Sequence, residues 1–87
     1  MVPDAEVAHV HVAFATPRRL GSAVVRNRVR RQLRELMRAR AAHLPTGWYL
    51  IGVHATPVDI NWGQLGAMLD AALHQAQQSH TTHKVAL

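Results

Sequence analysis

Residues 22–42, SAVVRNRVRRQLRELMRARAA, decide the fold. Ser22 is a favourable N-cap, and Gly21 before it accepts the positive φ of a tight entry. At about 100° per residue, Val25, Val29, Leu33, Leu36 and Leu44 fall within an arc of roughly 100°. That stripe faces a core. Arg26, Arg30, Arg34, Arg38 and Arg31 take the opposite arc, with Asn27 among them and Arg28 at its edge. One side of this helix therefore needs an apolar partner, and the other carries a dense positive charge.

The flanking segments supply the apolar partner. Upstream, VAHVHVAFAT (Val7–Thr16) alternates, with Val10, Val12 and Phe14 on one face and His9, His11, Ala13 and Ala15 on the other. Period-two alternation of this kind predicts a strand with one buried face, and Pro17 ends it. Downstream, Leu44-Pro45-Thr46-Gly47 stops the helix, since Pro cannot extend it. WYLIGVHA (Trp48–Ala55) follows as a nearly continuous apolar run, which predicts a strand buried on both faces. Gly52 within it marks a close approach of another element. Asn61 and Gln64 have capping-box spacing, and Ile60 and Leu65 occupy the hydrophobic-staple positions. Leu65, Met68, Leu69, Ala72, Leu73 and Ala76 then repeat at helical spacing. The expected architecture is one α/β domain over residues 1–87, strand-helix-strand-helix, with its core at about 9–76. Both helices are expected on one sheet face and His9 and His11 on the other. Residues 77–87, including His80 and His83, read as a polar, frayed tail. With two strands alone, an exposed sheet edge and weak autonomous stability or self-association are expected.

The charge is localised. The 87 residues hold ten Lys+Arg and five Asp+Glu. Nine of the bases are Arg, all between Arg18 and Arg40, against the single acid Glu35. That window carries +8 and the rest of the chain −3. Arg26, Arg30, Arg34 and Arg38 are successive i,i+4 neighbours, and each like-charge pair costs an isolated helix roughly 0.2–0.5 kcal/mol. Arg18 and Arg19 stand just before the helix N-terminus, where the dipole disfavours cations. Solvated helix faces normally mix signs, so the pattern favours an anionic partner over a bare solubility face. Arginine favours phosphate, because its fork binds bidentately.

Several chemistries are excluded or unsupported. There is no cysteine, hence no disulfide partner, thiolate nucleophile or Cys-based zinc site. No apolar run reaches the roughly 18–20 residues of a membrane span, and the N-terminus lacks the pattern of a secretory signal, so a cytoplasmic protein is expected. Asp4, Glu6, Glu35, Asp59 and Asp70 are scattered, without paired-carboxylate or Ser/His/Asp spacing, so no catalytic side chain is expected. His9, His11 and His54 lack a Cys or placed carboxylate to complete a metal site; they are expected to line the open sheet face. Trp48 and Tyr49 offer base-stacking rings, at least one of them expected in the core, and Trp62 is expected to pack on the sheet.

GSAVVRNRVRRQLRE (Gly21–Glu35), built around the Arg26-Asn27-Arg28 triplet and followed by Arg30, Arg31, Arg34 and Glu35, resembles the signature of the bacterial ribonuclease P protein component. The likeness runs through the Leu44–Gly47 turn, the aromatic strand and the Asn61 helix, over about residues 9–76. It implies a two-layer α/β sandwich with a left-handed β-α-β crossover, like the second domain of small-subunit ribosomal protein five. It also implies that the family's first helix and about two strands are missing here, and Thr16-Pro17 stands where the family usually has Ser-Lys. The implied function is that of accessory protein subunit of an endoribonuclease that removes the 5′ leader in tRNA maturation. The partners implied are the ribonuclease P RNA and precursor tRNA, with magnesium held mainly by the catalytic RNA and no organic cofactor. The resemblance carries over Arg26, Asn27, Arg28, Arg30, Arg31 and Arg34 as RNA-binding residues; the charge pattern adds Arg18, Arg19 and Arg38, and His9 and His11 are expected on the sheet face toward the leader.

Two other classes fit the residues. One is a small Arg-rich nucleic-acid-binding protein without ribonuclease P activity, a degenerate or truncated copy. The other is an interaction module for an acidic protein. Preference for folded ribozyme RNA over duplex DNA separates the first class from the second, and insensitivity of binding to nuclease marks the third.

Overall fold

The computed structural model describes residues 5–7, 9–54, 60–79 and 82–87. The chain runs β1 (Ala5–Val7), β2 (Val10–Ala15), α1 (Ala23–Arg40), β3 (Gly47–Gly52), α2 (Leu65–His74), β4 (Gln77–Ser79) and β5 (Thr82–Ala86). The strands form one sheet in the order β1-β2-β3-β5-β4. β2, β3 and β5 are parallel neighbours, and β1 and β4 close the flanks antiparallel. Parallel neighbours require crossovers; α1 makes the first and α2 lies in the second.

Register sorts the side chains. Val12, Tyr49 and His83 share one row, and Phe14, Ile51 and Val85 the next, all buried beneath the helices. Val29, Leu33 and Met37 descend from α1, Ala41 from the 3-10 turn that follows it, and Leu65 and Leu69 from α2, and together they make a single core. Helices on one face and His11 on the other agree with the alternation. The stripe on α1 is shifted from the expected one. Met37 and Ala41 are buried, while Val25, Leu36 and Leu44 are half-covered, because α2 packs along one flank of α1 and not over its centre. Ser22 caps α1 as expected, accepting from the Val25 N–H at 3.3 Å, and Gly21 has φ 141°.

Four expectations are corrected. Residues 77–87 are not a frayed tail: Thr82–Ala86 pair in parallel with β3, from Trp48↔Thr82 to Gly52↔Ala86. The alternation of His83 and Val85 matches the buried row of β3, and without that strand Tyr49 and Ile51 would be left at a sheet edge. With five strands, β3 is interior and the two-stranded sheet is replaced. The Trp48 strand is buried on one face only, since both helices lie on that side; Leu50 is 38% exposed on the other. Ala55 lies outside the described residues. His9 does not share a strand face with His11: it precedes β2 in the turn from β1, at φ 64° and exposed. Finally, the Asn61 side chain makes no cap bond. A 3-10 turn, Trp62–Gln64, intervenes before α2, and the Gln64 N–H bonds the Asn61 carbonyl at 2.9 Å. Ile60 and Leu65 still both meet the core.

Candidate nucleic-acid interface

The arginines of α1 divide into two groups. A four-residue step turns a helix by about 400°, some 40° past a full turn. The row Arg26, Arg30, Arg34, Arg38 therefore slopes from the edge of the apolar stripe to the outside. Arg26, Arg30 and Arg34 are half-buried and Arg38 is exposed, so the row does not lie wholly opposite the core. The Nε atoms of Arg26, Arg30 and Arg34 are all buried, and none has a hydrogen-bond partner. A buried donor left unmatched costs roughly 1–3 kcal/mol. The three guanidinium groups line one flank of the helix, each with its Nε covered by the protein and with no carboxylate paired to it among the described residues.

Asn27, Arg28 and Arg31 are exposed on the outer surface of the same helix. Arg38 lies 3.4 Å from Glu35, an exposed i,i+3 pair of little energetic weight. Arg18 and Arg19, both exposed, form a 3-10 turn with Leu20 ahead of α1. The Arg19 Nη2 donates to His54 Nδ1 at 3.3 Å, which assigns the His54 proton to Nε2 in the neutral ring. His54 follows the end of β3, at the far end of the sheet from His11, and borders the open sheet face beside Ala15 and Gly52. The ninth arginine, Arg40, serves the fold. It makes a two-pronged pair with Asp70 on α2, its Nη2 at 3.1 Å from Oδ2, and also donates to the Leu36 carbonyl at 3.0 Å. That pairing raises the Arg40 pKa and holds the Asp70 carboxyl below the usual carboxylate range.

The open sheet face is a second surface. His11 and Trp48 stack there, centroids 5.1 Å apart and planes at 21°, with Glu6 3.4 Å from His11 Nδ1. Ala13, Leu50, Lys84, Ala15, Gly52 and Ala86 continue it by register. Tyr49 belongs to the core. It stacks on His83 at 4.2 Å, its hydroxyl donates to the Pro45 carbonyl at 2.7 Å, and burial pushes its pKa up. His80 lies outside the described residues.

Sequence patterns missed two contacts. Arg28 lies 3.9 Å over the Trp62 ring, and Arg40 reaches Asp70. Both join residues of different helices, and no periodicity within either segment announces them. Among the described residues no helix is long and apolar enough to cross a membrane.

A sheet backed by helices, with a row of arginines along one of them, defines a small α/β domain with one localised positive surface. The comparisons are specific. The family model described as Ribonuclease P matches residues 1–77, and the chain belongs to that family. It is 40% identical over 65 residues to the ribonuclease P protein component of Roseiflexus sp. (strain RS-1), covering 72% of this chain and 53% of the relative. To that of Thermobifida fusca (strain YX) it is 42% identical over 78 residues, 82% of this chain and 52% of the relative. To that of Streptomyces avermitilis it is 43% identical over 75 residues, 84% and 60% respectively. The chain thus spans about half the length of the curated relatives it matches. No solved structure matches it. β5, which completes the buried row beside β3, lies beyond the matched residues.

Proposed function

We propose that this chain is the RNA-binding protein subunit of a ribonuclease P, assisting the catalytic RNA in cutting the 5′ leader from precursor tRNA. The observation that carries this is the row of Arg26, Arg30 and Arg34 along one flank of α1, half-buried and without a carboxylate partner among the described residues. Phosphate oxygens spaced along an RNA strand offer these guanidinium groups acceptors, and charge-assisted bonds of this kind are the strong ones. Asn27, Arg28, Arg31 and Arg38 extend the contact over the outside of α1, and Arg18 and Arg19 extend it past the helix start. The open sheet face, with its His11–Trp48 stack and with His9 at its margin, suits an unpaired leader strand, whose bases stack on rings.

The donor set does not suit a resident magnesium ion. Asp70 is committed to Arg40, Glu35 is near Arg38, and Glu6 is beside His11. No described group of three or more His, Asp or Glu residues could hold a metal. In this reading magnesium is held mainly by the RNA, and the protein's own work is to bind, orient and neutralise phosphate charge. Its expected compartment is the cytoplasm.

The test is reconstitution with ribonuclease P RNA and cleavage of a precursor tRNA across a magnesium titration. Arg26→Ala and Arg28→Ala should each weaken RNA binding by roughly 1–3 kcal/mol. Asn27→Ala should raise the magnesium requirement more than it lowers affinity. Wild-type behaviour of all three at low magnesium removes α1 from the function.

A further inference from the structure

The Arg28–Trp62 pair is built more completely than core packing requires. Arg28 is exposed, and its guanidinium lies 3.9 Å from the centre of the Trp62 ring. No hydrogen-bond or ion-pair partner holds it among the described residues. Trp62 itself packs against the core, so it is a fixed platform. Next to the pair, α1 and the start of α2 border an open groove of about 470 Å³, with Arg31, Gln32, Glu35 and Trp62 at its sides and Leu36 and Leu65 also lining it. That volume is within the range of small-ligand sites, roughly 300–1,000 Å³.

We infer that the exposed Arg28 plane, backed by Trp62, stacks the base of one unpaired nucleotide of the bound RNA, with the edge of that base reaching the adjoining groove. The seat presupposes the RNA binding proposed above. A planar cation already lying on an indole has surrendered rotamer freedom before binding, so less is lost when a third flat group joins the stack. Nucleobases stack on arginine planes, and a base in a duplex has no free face to offer. The walls distinguish a base from a bare phosphate. Gln32 both donates and accepts, and Glu35 accepts, which matches a base edge; a carboxylate in the wall disfavours a phosphate in the groove itself. Arg31 is left for the phosphate attached to the seated nucleotide.

The test uses the full chain and three probes: a single-stranded RNA dodecamer, the same strand with abasic positions, and a blunt RNA duplex. Arg28→Lys keeps the charge and removes the plane; Trp62→Leu removes the platform; Trp62→Phe keeps a ring. Arg28→Lys and Trp62→Leu should each weaken single-strand binding roughly tenfold, and Trp62→Phe less. Duplex affinity and the salt slope should not move, and wild type should bind the abasic strand as weakly as Arg28→Lys binds the normal one. The seat is wrong if wild type binds abasic and normal strands alike, if Arg28→Lys is without effect, or if single-strand and duplex affinities fall together. Arg28→Lys changes an exposed side chain, so it decides the matter even if Trp62→Leu folds poorly. Failure of wild type to bind any of the three probes overturns the RNA-binding function itself, and the seat with it.

Discussion

Arg40 and Arg30 have the same side chain, stand ten positions apart on one helix, and do opposite work. Arg40 spends its donors on Asp70 and on the Leu36 carbonyl, whereas the Arg30 Nε has no partner. The difference comes from what lies opposite each: α2 presents a carboxylate to Arg40, and the protein presents none to Arg30. It follows that Asp70→Asn should alter the pH dependence of stability and leave RNA binding at neutral pH nearly intact. The Asp70 carboxyl is held below its ordinary value by the Arg40 hydrogen bonds. Its contribution is therefore fully present above the unfolded value of about 3.9 and is lost as pH falls through the lower folded value. The raised Arg40 value acts only at the alkaline extreme, where arginine begins to titrate, so the accessible window is the acid one. Urea midpoints should differ between wild type and Asp70→Asn at neutral pH and converge as pH falls through the lowered folded value of the Asp70 carboxyl. Midpoints that stay equally far apart throughout would remove the Arg40 pair as the cause.

At the scale of elements, the unexpected part is the last strand. β5 takes the place beside β3, and its His83 lies flat on Tyr49, planes at 8°. Truncation after residue 76 should abolish cooperative urea unfolding, because Tyr49, Ile51 and the floor under α2 lose their neighbour; a truncated chain that unfolds with the full-length midpoint contradicts that role. The reasons for what was legible are local. α1 was legible because its cap, entry glycine and apolar stripe all lie within one continuous segment. β2 was legible from the alternation of Val10, Val12 and Phe14. β5 was obscured by polar neighbours: Thr82, His83 and Lys84 look like tail chemistry, and only register with Tyr49 and Ile51 reveals His83 and Val85 as buried. β1 was merged with β2 because the apolar alternation runs through Val7, and only His9 at positive φ breaks it. In the interface, the charged residues could be listed from the sequence, but their division into half-buried and outward groups could not. That division depends on how far α1 is rotated over the sheet, a tertiary relation that no pattern within the segment encodes.

Across the whole molecule, charge and fold are separated. The window from Arg18 to Arg40 carries +8 and the remainder −3, while the core beneath is assembled from both helices and the central strands. A field of one sign on one surface draws a polyanion and releases its counterions on contact. If the row from Arg26 to Arg38 and its neighbours meet about four to six phosphates, log K should fall with log salt at a slope of roughly −3 to −5. The slope should be a property of the strip and not of total charge. Arg30→Ala and Arg34→Ala should each flatten it by about one phosphate's worth. Lys84→Ala, on the opposite sheet face and equal in net charge change, should leave it as it was. Fluorescence anisotropy with a labelled RNA at several potassium chloride concentrations measures all four slopes. Equal flattening by Lys84→Ala would mean that diffuse attraction drives binding, and a wild-type slope near zero would remove phosphate from the interface altogether. A slope that responds to Arg30 and Arg34 alone ties the binding to the donors whose acceptors the fold does not provide.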